Sequence, residues 1–221
     1  MGDDTRQRVL DAAGPIFAEK GFGDATVREI CAAAGTNQAA VNYHFGDKQA
    51  LYLEVVKLAH TQRMQQVPAA HWPSDASPAD KLRIFIRTTL ARMLETRDLQ
   101  WPTCLMMREV LQPTIACQAI VEDYIRPQLT QLMQILDEML PAGTPDQMRY
   151  KMAFSVIGQC LHYRVATEVV SLLIPADELE SHFRTDQLAE HISEFSLAAL
   201  KQFDRPLSCD SAQEVSSDAQ Q

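Results

Sequence analysis

The chain has 221 residues, of which 46% are hydrophobic and 22% charged, enough for one large or two small domains with apolar cores. Its apolar runs fall short of the ~18 residues that cross a bilayer, and it begins without the basic and apolar segments of a secretory signal, so we expect no membrane partner and a cytoplasmic location. Twenty basic against 29 acidic side chains give a net charge of −9, and because this excess repels phosphate, contact with nucleic acid must depend on local geometry.

Apolar residues recur at helical spacing along nearly the whole chain, and no segment alternates with period two between hairpin turns. The predicted fold class is therefore all-α. A first helix over residues 5–20 ends at Gly21, since glycine readily adopts the conformation that terminates helices. Thr26 and Glu29 have the spacing of a capping box, which predicts the start of a second helix.

This second helix is short because Gly35 follows it, and a third helix is predicted from residue 36 or 37 to about residue 45. Asp47 then caps a fourth helix that reaches about residue 65. Two short helices joined by a glycine turn are typical of a helix-turn-helix. Cys31 is small where the two helices cross, and Val41 supplies the apolar contact between them.

A proline-rich stretch at residues 67–78 predicts a loop. Pro127 is expected to kink or restart the helix that contains it, because proline removes a backbone donor. The polar segment 205–221 is predicted to be a disordered tail. Further helices are predicted at residues 78–96, 103–112, 115–140, 145–173 and 185–204.

Residues 22–53, which read FGDATVREICAAAGTNQAAVNYHFGDKQALYL, closely resemble the DNA-binding domain of the tetracycline-repressor (TetR) family of bacterial regulators. The resemblance covers about residues 5–60, a quarter of the chain. In the second region, the runs LMMREVLQPT, YIRP and IGQC resemble the C-terminal domain of the family's CecR-type subgroup. The resemblance implies a DNA-binding domain over residues 1–47 and a helical ligand-binding and dimerisation domain over residues 48–204.

The third helix is expected to place its first turn against base edges in the major groove of double-stranded DNA. Gln38 and Asn42 lie four residues apart on one face and suit the edge of adenine, while Ala39 can touch a thymine methyl group. By the resemblance, Tyr43, His44 and Lys48 bind phosphates. The full set of expected DNA-contacting residues is Thr26, Arg28, Thr36, Asn37, Gln38, Ala39, Asn42, Tyr43, His44 and Lys48.

Between Glu29 and Asp47 the sequence has no lysine or arginine, so no cation from the recognition helix can bind guanine. We therefore expect few charge-neutralising contacts and a modest salt dependence of DNA binding. Base preference is then expected to draw on amide and methyl contacts, on DNA shape, and on arm residues such as Arg6 or Arg8.

The resemblance implies a homodimer formed by a four-helix bundle, which we assign to residues 145–173 and 185–204. Leu188, Ile192 and Phe195 repeat with Ala199 at helical spacing in the second of these. A two-fold dimer sets its recognition helices ~34–36 Å apart, which predicts a palindromic operator.

Methionines are numerous in the second region, and thioethers adapt to irregular apolar cavities. They predict a small apolar or amphipathic ligand, although ordinary core packing explains each methionine as well. Arginines in these helices, such as Arg108 and Arg164, need either a ligand or an internal partner. The candidate pocket residues are Met93, Met106, Met107, Arg108, Met133, Phe154, His162 and Tyr163.

These features predict a homodimeric repressor that a small molecule releases from its operator. The alternative is an architectural or partner-controlled DNA-binding regulator without a small-molecule site. An enzyme is not expected, because the sequence has no nucleophile triad, phosphate loop or HExxH motif. Five widely spaced cysteines lack metal-site spacing, so we expect neither a metal nor a cofactor.

Overall fold

The computed structural model describes residues 2–95 and 100–204, and within these ranges the chain forms helices and no strands, which confirms the all-α prediction. The predicted disordered tail, residues 205–221, lies outside the described residues. The helices are α1 (Gly2–Asp24), α2 (Val27–Ala33), α3 (Gln38–Phe45), α4 (Lys48–Gln66), α5 (Pro78–Leu94), α6 (Gln100–Leu111), α7 (Cys117–Ile120), α8 (Arg126–Met139), α9 (Asp146–Val165), α10 (Thr167–Leu173), α11 (Ala176–His182) and α12 (Thr185–Lys201). A π-helical turn, Val121–Ile125, joins α7 to α8, and a 3₁₀ turn, Gln202–Asp204, follows α12.

The boundaries of the first four helices follow the local signals in the sequence. Gly21 has a φ of 80° and interrupts α1 where the sequence predicts its end. Thr26 and Glu29 form the complete capping box at the start of α2. The carboxamide oxygen of Asn37 accepts from the Ala40 backbone N–H at 3.0 Å, and a carboxylate oxygen of Asp47 accepts from that of Ala50 at 2.7 Å. Each of these helix starts therefore has its own side-chain cap.

A first core holds the helix-turn-helix together. Phe17 of α1 and Ile30 of α2 are fully buried in it, as is Val41 of α3. Leu51 from α4 and Leu105 from α6 belong to the same core. Two helices beyond residue 47 therefore support the DNA-binding helices directly.

A second core lies between α5, α8, α9 and α12. Leu82, Leu136 and Cys160 are fully buried there, with Leu188 and Ile192 of α12 packed against them. Of the four α12 residues that the sequence analysis placed at a dimer contact, Leu188 and Ile192 thus face their own subunit, whereas Phe195 remains 60% exposed and Ala199 is exposed as well.

Two long helices of the sequence prediction are broken in the structure. The 115–140 segment divides into α7, the π-helical turn and α8, with Pro127 in the first turn of α8, as the proline predicted. The 145–173 segment is interrupted at Ala166, so the single helix predicted there is wrong. The Thr167 hydroxyl donates to the carbonyl oxygens of Tyr163 and Arg164 at 2.8 and 2.9 Å, which satisfies carbonyl groups at the end of α9.

Helix α11 was not expected from the sequence. Ile174 is extended because proline at position 175 disfavours helical geometry in the residue before it, and α11 starts just after that proline. Over residues 2–95 and 100–204, no helix combines the length and hydropathy needed to cross a membrane.

Candidate DNA-binding surface and ligand cavity

The third helix presents a polar face to solvent. Val41 is completely buried and holds α3 against the first core, which turns the opposite side of the helix outward. Gln38, Ala39 and Asn42 are exposed on that side. Tyr43 is 84% exposed, with its ring 5.0 Å from that of the half-buried His44. An exposed tyrosine hydroxyl and two exposed carboxamides suit contacts with phosphates and base edges.

Several residues expected at the DNA also have structural roles. The Thr26 hydroxyl accepts from the Glu29 backbone N–H at 3.2 Å, and the Asn37 side chain caps α3. Lys20 and then Thr26 hold the pKa of Glu29 at about 2, through hydrogen bonds to its carboxylate. Arg28 is exposed, and Thr36 is half-buried in the turn.

The ammonium group of Lys48 is tied to its own subunit. It donates to the Gly23 carbonyl oxygen at 3.1 Å and lies 4.8 Å from the centre of the Phe22 ring. Lys48 therefore fastens the start of α4 to the end of α1. A phosphate contact would have to share this ammonium with the carbonyl.

Arg6 and Arg8, expected as DNA-contacting arm residues, instead hold helices together. Arg8 donates to the Ala34 carbonyl oxygen at 3.0 Å and so satisfies the C-terminal end of α2. Arg6 pairs with Glu54 at 2.7 Å and lies 5.2 Å from the centre of the Phe45 ring. Both arginines lie on α1 rather than on a free arm, because that helix begins at Gly2.

Helix α6 is fastened to the helices of the first core. The Trp101 ring lies against Gly14, where an added Cβ would come within 2.8 Å of the indole. Arg108 donates to the Glu19 carbonyl oxygen at 2.8 Å. The buried carboxylate of Glu109 accepts from the Tyr52 hydroxyl of α4. Movement of α6 must therefore act on α1 and α4.

A cavity of about 230 Å³ lies on the other side of α6, where α4, α5, α8 and α9 approach it. Met93, Met106 and Met107, three of the residues predicted for a pocket, line it. The remaining apolar lining comes mainly from Met64, Phe85, Val110, Ile125, Leu129 and Leu161.

The other five predicted pocket residues lie elsewhere. Arg108 reaches α1, Met133 and Tyr163 pack against the second core, and His162 is exposed beside Tyr163. Phe154 is 58% exposed on the outside of α9. For the α9 residues, the reason is how the helix is rotated about its axis. Ala153, Val156 and Cys160 lie on its buried face, whereas residues 157, 161 and 164 line the cavity.

The polar lining of the cavity was largely missed by the sequence analysis. It includes His60, Arg63, Arg92, Tyr124 and Arg164. One pattern in the sequence could have indicated these arginines. On both α5 and α9, three residues at spacings of four and then three lie on one face of the helix, and the last of the three is an arginine on an otherwise apolar face. The sets are residues 85, 89 and 92, and residues 157, 161 and 164.

His60 stacks on Tyr124, with the two ring centres 3.5 Å apart. Burial, together with the positive charges of Arg63 and Arg92, lowers the pKa of His60 to about 4. His60 is therefore neutral near pH 7. In the part of the chain that the structure describes, no group of three or more His, Cys, Asp or Glu could hold a metal ion.

Two family models match the chain. Residues 9–55 match the model for bacterial regulatory proteins of the tetR family, and residues 78–200 match the C-terminal domain of the HTH-type transcriptional dual regulator CecR. The CecR regulator of Shigella flexneri is 26% identical over 181 residues, which cover 77% of this chain and 80% of the relative. The repressor AcnR of Corynebacterium efficiens is 42% identical over 53 residues, 24% of this chain and 28% of that protein.

Solved structures agree on the fold. A TetR-like regulator from Rhodococcus sp. RHA1 superimposes with a TM-score of 0.61 at 19% identity, over 89% of this chain and 96% of the other. The hemolysin II regulator HlyIIR gives a TM-score of 0.57 at 19% identity, over 88% and 98%. Because the CecR-type model alone covers more than half of the residues, and the tetR-family model covers the helix-turn-helix, this chain belongs to the TetR family of transcriptional regulators and has a CecR-type C-terminal domain.

Proposed function

We propose that this protein is a homodimeric repressor that binds a palindromic operator and leaves it when a small molecule enters the α6 cavity. The observation that carries the proposal is the position of α6, which lines the cavity on one side and is fastened on the other to α1 and α4, the helices that share a core with α2 and α3. Repression, as opposed to activation, is supported by the similarity to AcnR, which is described as a transcriptional repressor.

Recognition of DNA is assigned to α3. Gln38, Ala39 and Asn42 would read base edges, while Tyr43 and His44 would contact phosphates. Between Glu29 and Asp47 the chain has no lysine or arginine, so α3 has neither of these cations of its own. Affinity would therefore come from two subunits acting together on two half-sites.

The dimer contact is assigned to the outer faces of α9 and α12. Tyr150, Phe154 and Phe195 are 44%, 58% and 60% exposed there, an unusual concentration of aromatic surface for a monomer. Pairing these faces about a two-fold axis would bury them and fix the separation of the recognition helices.

Release would follow from differential binding. A ligand that binds the released form ~100-fold more tightly than the DNA-bound form supplies about 2.7 kcal/mol of coupling. Because Met106, Met107 and Val110 line the cavity and Arg108 and Glu109 contact α1 and α4, a shift of α6 would reach the helix-turn-helix through α1 and α4. The cavity supports this form of the proposal over a regulator without a small-molecule site.

The first test is selection of genomic fragments by the purified full chain, repeated at moderate and higher salt. We expect recovery of one palindromic sequence. Recovery of no enriched sequence by a folded dimer would contradict operator binding.

The orientation of α3 is tested by Tyr43→Ala, which we expect to lower affinity for all DNA sequences at least fivefold in fluorescence anisotropy. Gln38→Ala is expected to cost about 1–3 kcal/mol at one base pair per half-site and to relax preference there. His182→Ala, an exposed position on α11, is the control. Unchanged affinity of Tyr43→Ala would overturn the assigned phosphate contact.

A further inference from the structure

The charged side chains that line the cavity beside α6 are all arginines. Arg63 from α4, Arg92 from α5 and Arg164 from α9 all line it. Among the described residues that line it there is no aspartate or glutamate. Three helices thus contribute an arginine each to the wall of one largely apolar space, where burying a charge is costly.

Two of these arginines each have an N–H donor without a hydrogen-bond partner among the described residues. Arg63 donates through Nη2 to the Arg92 carbonyl oxygen at 3.0 Å, but its Nε is buried without a hydrogen-bond partner among the described residues. The Nε of Arg164 is likewise buried without a partner in that part of the chain. Neither side chain forms an ion pair with any carboxylate whose side chain the structure describes.

The arginines also affect one another. Burial, together with the charges of Arg92 and Arg164, lowers the pKa of Arg63 to about 10. Arg63 remains protonated near pH 7, so the cavity keeps its positive potential. An acidic neighbour, Asp123, lines an adjoining surface depression and not the cavity itself.

The rest of the lining is apolar and the space is small. Methionine and aliphatic side chains such as Met93, Met107 and Leu129 surround the arginines. The volume of about 230 Å³ is below the roughly 300–1,000 Å³ of typical ligand pockets. A matching ligand has a compact apolar body and one negatively charged, planar head group that two guanidinium groups can bind together.

We propose that the effector of this regulator is a compact amphipathic carboxylic acid, whose carboxylate binds Arg63 and Arg164 and whose apolar body lies among the cavity methionines. This inference specifies the class of ligand that enters the α6 cavity. It rests on the proposed function only in the claim that the bound ligand changes DNA affinity. Binding itself is independent of the operator.

The test uses three probes with the same body and different heads: 4-phenylbutyrate, 4-phenylbutyramide and 4-phenylbutylamine. Calorimetry with the full chain at pH 7.5 is expected to show binding of the acid at least tenfold tighter than that of the amide, and weakest binding of the amine. Octanoate against octanamide repeats the comparison with an aliphatic body.

Arg63→Met and Arg164→Met are expected to lower affinity for the acid at least tenfold, while affinity for the amide changes less than threefold. Arg164→Lys retains the charge and should recover part of the loss. Arg83→Met, on α5 but outside the cavity and paired with Asp80 and Glu194, is the matched control and should bind the acid as the natural chain does. Thermal unfolding without ligand identifies any variant that fails to fold.

The outcomes separate this inference from the proposed function. If an amide or an amine binds as tightly as its acid, or if neither acid binds, the anion site is overturned, whether or not other compounds release DNA. Equal affinity of the natural chain and both methionine variants for the acid would overturn it as well. If the acid binds through the arginines but leaves operator affinity unchanged, the anion site stands and ligand-controlled release fails.

Discussion

The helix-turn-helix and the helical region behind it are specified in different ways. Helices α2, α3 and α4 each begin at a residue whose side chain caps the helix. By contrast, α7, α8, α9, α10 and α11 begin without a side-chain cap. These five helices therefore depend on packing for their boundaries, whereas α2, α3 and α4, like α5 with its Ser77 cap, also have local signals.

The arginines at the cavity differ from the cations around the helix-turn-helix. In the first region, Arg6, Arg8 and Lys48 bind carbonyl oxygens, a carboxylate or aromatic rings of their own subunit. At the cavity, Arg63 of α4 and Arg164 of α9 each have a buried Nε without a hydrogen-bond partner among the described residues. A positive charge in the sequence therefore indicates a binding site only where the fold leaves it without an internal partner.

The largest expected effect compares the two cores with one substitution in each. Leu51→Ala and Leu136→Ala both remove a fully buried leucine, and each should lower the free energy of unfolding by about 2–5 kcal/mol in urea titrations. At a temperature where both variants are folded, Leu51→Ala should weaken operator binding more, because Leu51 shares the core of α2 and α3. A loss below about 1 kcal/mol at either site would contradict close packing there.

A smaller effect is expected at the junction of α4 and α6. Tyr52→Phe removes the hydroxyl that donates to the buried Glu109, while the backbone N–H and the hydroxyl of Thr114 still donate to that carboxylate. We expect a loss of about 1–3 kcal/mol, because a buried carboxylate is left short of one hydrogen bond. The half-exposed Tyr150→Phe is the control, with a change within about 0.5 kcal/mol. Equal stability of Tyr52→Phe and the natural chain would mean that this bond does not hold α6 to α4.

The smallest effect tests the local signals of the first region. Thr26→Ala removes the α2 cap and should cost about 1 kcal/mol in unfolding free energy. Thr61→Ala, in the middle of α4 and exposed, removes a hydroxyl that is not a cap and should cost nothing measurable.

The same variant should change the acid dependence of stability. The pKa of Glu29 is about 2 in the folded chain against an ordinary 4.5, so its contribution is present above pH 4.5 and is lost as the pH falls toward 2. In Thr26→Ala this loss should be smaller, because one hydrogen bond to the carboxylate is gone, although the bond from Lys20 remains. Unfolding titrations from pH 6 to pH 3 measure the difference, and identical pH profiles would show that the cap and the carboxylate act separately.

Much of the first region was predictable from the sequence, because its signals are local. The glycine at position 21, the capping box at Thr26 and the caps at Asn37 and Asp47 lie within a few residues of the boundaries that they set. The second region was predicted less well. Ala166 carries no signal for the break after α9, and the cavity face of that helix depends on which neighbours it meets.

The sequence by itself determined the all-α class, the helix-turn-helix and its outward polar face, because helical spacing, caps and glycine turns act within a single helix or turn. Only the tertiary structure decided where the charges of α1, α4, α5 and α9 would go. Arg8 closes the end of α2, while Arg63 and Arg164, far apart in the chain, meet at one cavity. Contacts between distant segments depend on how the helices pack together, and this is why the candidate ligand site could not be read from residue types alone.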